Sequence, residues 1–87
     1  MVENLVTVVN ETGLHARPAS EFVSYAKSFK GNKISLVKDG KVVNAKSILH
    51  LLSLSLKKGD QFTIRVEGDP EQETLDKMIE FVQGLEE

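Results

Sequence analysis

A proline within the segment Gly13-Leu14-His15-Ala16-Arg17-Pro18-Ala19 fixes where one helix of this chain must begin. Because proline has a φ locked near helical values and lacks a backbone N–H, Pro18 is suited to the first turn of a helix and disfavoured further inside. The segment therefore predicts a helix that starts close to Ala16, after a turn at Gly13. His15 then lies at the N-cap position or just before it.

The start of this helix combines groups that favour an anion. The first backbone N–H groups of a helix have no intrahelical partner, and the helix dipole adds roughly half a positive charge at that end. Arg17 adds a guanidinium whose N–H donors match phosphate and carboxylate oxygens, and His15 adds an imidazole nucleophile. These groups predict that His15 accepts a phosphoryl group that Arg17 stabilises. Ala16 and Pro18 form the helix start.

Each of these residues also has a plain structural interpretation. His15 by itself is as consistent with a surface residue that caps the helix, and Arg17 by itself with a solvated surface charge. The combination of both residues with Gly13 and Pro18 is what favours the role of phosphoryl acceptor over these simpler interpretations.

The periodicity of apolar residues predicts four strands and three helices. Runs of β-branched or alternating residues indicate strands at 3–9, 33–37, 41–43 and 61–67. Apolar residues at helical spacing indicate helices at 16–29, 47–53 and 70–84. The dipeptide Asp39-Gly40 predicts a tight antiparallel turn between the second and third strands, and Ser47 is an eligible N-cap of the short middle helix.

The ends of the longer helices are predicted in more detail. Asp69 is interpreted as the N-cap of the last helix, Pro70 as its first residue and Gln72 as the reciprocal capping-box partner. Gly31 and Gly84 are expected to terminate the first and last helices. The buried stripe of the last helix is predicted to consist of Leu75, Met78, Ile79 and Val82.

The element order βαββαβα predicts an α+β fold, an open-faced β-sandwich in which a four-stranded antiparallel sheet carries three helices on one face. The other face of the sheet is expected to contact solvent, since the strands supply Thr, Ser, Lys and Arg. With 87 residues, of which 40% are hydrophobic, the chain is expected to form one domain spanning 1–87. The few aromatic residues disfavour an enzyme that encloses its substrate.

Charge and composition narrow the class of partner. The net charge of −2 and the pI of about 5.7 disfavour a general nucleic-acid-binding protein. An RNA-binding sheet would display stacking aromatic side chains, whereas the strands offer only Phe62, in an alternation that faces the core. The absence of cysteine suits a reducing compartment, and no segment has the pattern of a signal peptide or a membrane span. These features predict a cytoplasmic protein with protein partners.

Two motifs resemble the HPr family of histidine-containing phosphocarriers: Thr12-Gly13-Leu14-His15-Ala16-Arg17-Pro18-Ala19 and Asn44-Ala45-Lys46-Ser47-Ile48. The resemblance covers essentially the whole chain. It implies that His15 takes a phosphoryl group on Nδ1 from phosphorylated Enzyme I of the bacterial phosphoenolpyruvate-dependent phosphotransferase system. His15 would then pass the group to the IIA components of sugar permeases. A carrier of this kind is not an enzyme, needs no cofactor or metal, and is expected to be a monomer.

The resemblance also implies a regulatory site. Ser47 matches the serine that an ATP-dependent HPr kinase/phosphorylase modifies in many Gram-positive and some other bacteria. The alternative function is therefore a regulatory module that acts mainly through phosphorylated Ser47 and binds a transcriptional regulator of the catabolite control type. The presence of His15 favours the carrier. Without modification, Ser47 simply caps the short helix.

The short helix is also predicted to carry part of a surface that partners recognise. Family members often have two methionines and two glycines in this stretch, and all four are absent here. A short helix in so small a domain cannot bury every side, so one or two of its leucines should be exposed although the others belong to the core. Leu49 and Leu52 are favoured as the exposed ones, and His50 is interpreted as an exposed side chain whose charge follows pH. The predicted partner-binding patch consists of Ser20, Ile48, Leu49 and Leu52, with Val23 nearby.

Overall fold

The computed structural model describes residues 1–85 and confirms the order βαββαβα. The strands are β1 (Val2–Thr7), β2 (Lys33–Lys38), β3 (Lys41–Asn44) and β4 (Gln61–Glu67). The helices are α1 (Ala16–Lys27), α2 (Ile48–Leu52) and α3 (Glu71–Gln83). Ser28 is the C-cap of α1 and its backbone N–H donates to the carbonyls of the last turn, so this helix ends before Gly31. Gly84 is the C-cap of α3, as predicted.

The four strands form one antiparallel sheet in the order β1-β4-β2-β3. β4 pairs with both β1 and β2, so Ile64 lies opposite Asn4 on one side and Leu36 on the other. β2 and β3 form the predicted hairpin, and Asp39 and Gly40 at its turn both have positive φ, 51° and 80°. The predicted four-stranded antiparallel sheet is therefore confirmed.

The core lies between the sheet and the helices. Phe22 on α1, Phe62 on β4 and Met78 on α3 are each at most 1% exposed. β4 alternates buried apolar residues with partly exposed polar ones, so Phe62 points into the core and away from solvent, as predicted. The opposite face of the sheet remains accessible, where Leu5 and Val42 are about half exposed. This arrangement is the predicted open-faced sandwich.

The start of α3 differs from the prediction. Pro70 is the N-cap with an extended backbone (φ −85°, ψ 121°), and no side chain caps the helix. Gln72 donates to Asp76 Oδ1 at 2.8 Å along the exposed helix surface, so it does not act as a capping-box partner. The carboxylate that reaches back is Glu71, whose Oε2 accepts from the Gly68 N–H at 3.0 Å. The roles predicted for Asp69, Pro70 and Gln72 are therefore wrong.

A buried asparagine holds this segment extended and overrides the local capping pattern. The Asn32 side-chain amide donates to the carbonyls of Gly68 (2.5 Å) and Pro70 (3.3 Å). Its Oδ1 accepts from Thr74 Oγ1 at 2.8 Å, inside the first turns of α3. Asn32 is 6% exposed, so these contacts are made in the interior, where an unpaired polar group is costly. Hydrogen bonds from a distant loop thus decide where α3 begins.

Replacing Asn32 with Ala is expected to lower the free energy of unfolding by about 2 kcal/mol, because the buried Thr74 hydroxyl loses its acceptor and two carbonyls lose a donor. Urea unfolding of the wild type and of Asn32→Ala measures this difference. The exposed Asn4 provides a control, since Asn4→Ala is expected to change stability by less than about 0.5 kcal/mol. Equal effects of the two substitutions would contradict the role assigned to Asn32.

Candidate functional site

His15 lies at the N-terminus of α1 with its imidazole exposed to solvent. Its backbone is extended (φ −129°, ψ 154°), which places it at the N-cap position, as predicted. The imidazole makes no capping hydrogen bond to the helix. The simpler interpretation of His15 as a side-chain cap is therefore wrong, and the ring nitrogens face solvent beside the first N–H groups of the helix.

The backbone immediately after His15 is strained. Ala16 has a φ of 46°, in the left-handed region that non-glycine residues rarely occupy, although it is the first residue of α1. A left-handed conformation costs an L-residue roughly 1–2 kcal/mol. Alanine carries no sequence signal for positive φ, so sequence reasoning did not identify this bend. Pro18 is buried within the first turn, where its fixed φ fits the helix, as predicted.

The loop before His15 is anchored to the segment that leads into β4. The Leu14 N–H donates to the Leu56 carbonyl at 3.0 Å, and the Asn10 side-chain amide donates to the Gly13 carbonyl at 2.9 Å. Gly13 has a φ of 69°, and a Cβ at this position would lie only 2.4 Å from the Leu56 oxygen and 2.9 Å from Lys57 Cα. Gly13 thus permits a close backbone contact that brings residues 56 and 57 next to the loop of His15.

This contact creates an open cleft of about 410 Å³ beside the imidazole. Ser55 contributes to the cleft with a φ of 51°, although the sequence provides no glycine there. Leu52, from the last turn of α2, contributes an apolar wall. The lining residues are Thr12, Leu14, His15, Leu52, Ser55, Leu56 and Lys57. The cleft is shallow, so a group bound to His15 remains accessible to another protein.

Arg17 lies on a different surface of the helix terminus. Its side chain is 75% exposed, and its Nε lies 3.5 Å from Glu21 Oε2, one turn along α1. Arg17 lines a second cleft, with Phe81 and Leu85 at the C-terminal end of α3, and it does not line the cleft of His15. The structure therefore places the two motif residues at the same helix end but in separate clefts.

Ser47 caps α2 with its side chain, as predicted. It has an extended backbone, and its Oγ accepts from the His50 N–H at 3.4 Å. The residue is half-buried, and His50 is exposed. Within residues 1–85, no group of three or more His, Cys, Asp or Glu side chains is placed to hold a metal ion.

The predicted partner-binding patch is continuous with the cleft of His15. Leu49 is 76% exposed and Ile48 is 37% exposed, while Leu52 is half-buried at the edge of the cleft. Ser20 and Ile48 line a common depression between α1 and α2. Val23, also in this depression, is buried. An apolar surface on α2 thus lies beside the imidazole.

Asp60 holds the turn behind the cleft. Its Oδ2 accepts from the Lys57 N–H at 2.9 Å and from Lys38 Nζ at 3.2 Å. These two contacts, the backbone hydrogen bond first, lower the pKa of the Asp60 carboxyl below its ordinary value, because both favour the charged form. The turn from Lys57 to Asp60 is therefore fixed by the ionised carboxylate.

The contribution of Asp60 to stability is expected to depend on pH. Because the pKa of Asp60 is lowered by folding, its stabilising contribution is present above the pKa of the unfolded chain and is lost as pH falls through the lower folded pKa. Asp60→Asn should therefore reduce the free energy of unfolding at pH 7 and do so much less below about pH 3. Urea unfolding at both pH values tests this, with the exposed Asp76→Asn as control. A pH-independent loss would contradict the ionic role.

Comparison with known proteins places the whole chain in one family. The family model described as the PTS HPr component phosphorylation site matches residues 2–84. The HPr-like protein Crh of Halalkalibacterium halodurans is 47% identical over 83 residues, which cover 95% of this chain and 98% of that protein.

Two solved structures share the fold. The phosphocarrier protein HPr of Bacillus anthracis is 43% identical with a TM-score of 0.89, and the match covers 94% of this chain and 96% of that one. Crh of Bacillus subtilis, described as a domain-swapped dimer, is 47% identical with a TM-score of 0.74 and coverages of 95% and 94%. None of the helices within residues 1–85 has the length and apolar character needed to cross a membrane. With its fold, its exposed His15 and these matches, the chain belongs to the HPr family of phosphocarrier proteins of the phosphotransferase system.

Proposed function

We propose that this protein relays a phosphoryl group from phosphorylated Enzyme I to the IIA components of sugar permeases through a phosphohistidine on His15. The observation that carries the proposal is the exposed imidazole at the N-terminus of α1, which makes no capping bond and adjoins helix N–H groups. A cytoplasmic location, where both partners would be met, is part of the proposal.

The transfer is a displacement at phosphorus. The lone pair of Nδ1 in the neutral imidazole attacks phosphorus in line, a nitrogen–phosphorus bond forms, and the donor group leaves with the electron pair of the bond that breaks. The ring becomes an imidazolium that can return its proton to solvent. The first N–H groups of α1 offset the charge that arrives with the phosphoryl oxygens. Arg17 would contribute as well if its exposed guanidinium turns from Glu21 towards the phosphoryl group.

A carrier must also release the group it accepts. Each additional 1.4 kcal/mol of phosphoryl stabilisation shifts release about tenfold, so a deep, fully paired site would oppose the second transfer. The open cleft around His15 supports reversible transfer, since it leaves the imidazole accessible from one side. The adjoining surface of Ile48, Leu49 and Leu52 is the apolar area on which Enzyme I and IIA would dock in turn.

Phosphorylation of Ser47 by an HPr kinase/phosphorylase is the proposed regulation. The modification would add about −1.5 to −2 charge at the start of α2, next to the apolar surface. The helix terminus tolerates an anion, so the fold should persist while docking of Enzyme I is weakened. The transcriptional regulator of catabolite control is the proposed partner of the modified form.

Ser47→Asp is expected to slow phosphorylation by Enzyme I about tenfold, because a carboxylate beside Ile48 and Leu49 must be desolvated or repelled during docking. Initial rates with purified Enzyme I and phosphoenolpyruvate measure this effect. Gln72→Glu adds the same charge at the N-terminal end of α3, on an exposed side chain, and should leave the rate unchanged. An equal rate for Ser47→Asp and the wild type would argue against regulation through this site.

A regulatory module that works mainly through Ser47 is the second candidate, and the likeness to Crh favours it. The two functions differ in which phosphoryl donor the protein accepts. Incubation with Enzyme I and phosphoenolpyruvate should yield an acid-labile, base-stable adduct if the carrier function is correct. Modification by the kinase and ATP without any transfer from Enzyme I would select the regulatory module. Size-exclusion measurements decide between the monomer that we propose and a dimer.

A further inference from the structure

We infer that Lys57 is a second cation of the acceptor site and stabilises the phosphoryl group on His15, an inference that rests on the proposed function. Neither motif that defines the family contains Lys57. The inference comes from the geometry of the loop that leads into β4, which brings this lysine into the cleft of His15.

The backbone of Lys57 is held against the loop that carries His15. A Cβ on Gly13 would approach Lys57 Cα to 2.9 Å, so the two main chains are in direct contact. The Leu14 N–H donates to the Leu56 carbonyl at 3.0 Å, one residue before His15 and one before Lys57. The Lys57 N–H donates in turn to Asp60 Oδ2, which fixes the other side of the residue. The root of the lysine side chain is therefore positioned and not free to drift.

The ammonium of Lys57 is also available for an incoming anion. Apart from His15, Lys57 is the only residue lining the cleft with an ionisable side chain. Among the ion pairs of residues 1–85, Asp60 is paired with Lys38 and Glu11 with Lys58, and none involves the Lys57 side chain. The lysine is exposed, so its four-carbon chain can turn towards the imidazole when a phosphoryl group arrives.

The placement of Arg17 strengthens the case for Lys57. Arg17 lines a separate cleft with Glu21, and Glu21 Oε2 lies 3.5 Å from its guanidinium. A dianion on His15 would therefore meet the ammonium of Lys57 in its own cleft, and Arg17 only after a change of side-chain conformation. An exposed ion pair contributes modestly, which suits a carrier that must also release the group.

The neighbouring Lys58 is a matched control. It adds the same charge to the same turn, but its Nζ pairs with Glu11 Oε1 at 2.7 Å and it does not line the cleft. We therefore compare the wild type with Lys57→Gln, Lys57→Arg and Lys58→Gln. Thermal unfolding of each variant verifies that the fold is intact.

Phosphoramidate is the chosen phosphoryl donor because it is too small to depend on a docking surface. The imidazole lone pair attacks phosphorus, the P–N bond of phosphoramidate breaks, and ammonia leaves with the bonding electrons. The rate of phosphohistidine formation at His15 is followed by 31P NMR at about 0.05 M and about 0.5 M salt, since screening weakens an exposed charge. A separate reaction with Enzyme I and phosphoenolpyruvate tests the proposed function itself.

Lys57→Gln is expected to react about two- to fivefold more slowly than the wild type at low salt, and the difference should shrink at high salt. Lys57→Arg should retain the wild-type rate and Lys58→Gln should not differ from the wild type. Wild-type behaviour of Lys57→Gln, or an equal loss in Lys58→Gln, would overturn the inference. If Enzyme I fails to phosphorylate the wild type, the proposed function fails instead, whatever the phosphoramidate reaction gives.

Discussion

His15→Gln is expected to abolish phosphorylation by Enzyme I and phosphoenolpyruvate, with a loss of more than about a thousandfold, because an amide cannot replace the imidazole nucleophile. The side chain is exposed and makes no capping bond, so the variant should fold as the wild type does. Incorporation of label from phosphoenolpyruvate, together with thermal unfolding, measures both properties.

The other histidine of the chain is the control for this substitution. His50 is also exposed, lies on α2 and does not line the cleft of His15. His50→Gln should therefore keep the wild-type extent of phosphorylation. A full adduct in His15→Gln, or its loss in His50→Gln, would show that the acceptor has been assigned to the wrong residue.

Gly13→Ala is expected to destabilise the protein by about 2–4 kcal/mol and to disturb the acceptor site at the same time. The new Cβ would lie 2.4 Å from the Leu56 oxygen, a backbone atom that cannot move aside cheaply. The φ of 69° adds a further penalty for a residue with a side chain. Since this contact holds the His15 loop against Leu56 and Lys57, phosphorylation should slow as well. Urea unfolding and transfer rates measure the two effects.

Gly40→Ala separates the two causes of that loss. Gly40 has a similar φ of 80°, but a Cβ there would meet no atom within 4 Å, so only the conformational penalty of about 1 kcal/mol applies. We therefore expect a clearly smaller loss of stability and an unchanged rate of transfer. If the two alanine variants lose the same stability, the close contact at Gly13 has no energetic importance.

The order of elements and the helix start at Ala16 were predictable because local signals determine them. Pro18 permits a helix only from its first turn, and the alternation around Phe62 indicates a strand with one buried face. The N-cap role of Ser47 was equally local, since it needs only a hydroxyl at the right position. In these places the short-range pattern and the tertiary structure favour the same conformation.

The start of α3 was predicted wrongly because a distant residue determines it. Asp69 and Pro70 form a plausible capping sequence, but the amide of Asn32 binds the carbonyls of Gly68 and Pro70 and keeps that segment extended. Such a contact joins residues more than 35 positions apart, and no periodicity reveals it. A buried asparagine between α1 and β2 was the only available signal.

The geometry of the acceptor site was the least predictable part. Ala16 and Ser55 have positive φ without being glycine, and their conformations depend on tertiary contacts and not on intrinsic preference. The proximity of Lys57 to the His15 loop arises from the packing of Gly13, which the sequence indicates only as a turn. The motif identifies the acceptor histidine, whereas the cleft beside it could be described only from the fold.

The central claim is that His15 is the residue that receives the phosphoryl group. Uniformly 15N-labelled wild-type protein, incubated with Enzyme I and phosphoenolpyruvate, can be studied by 31P and imidazole 15N NMR. We predict one phosphohistidine, with phosphorus bonded to Nδ1 of His15 and with the Ser47 hydroxyl unmodified. Phosphorus on any other residue, or no phosphorus signal after complete reaction of a known HPr under the same conditions, would contradict the account.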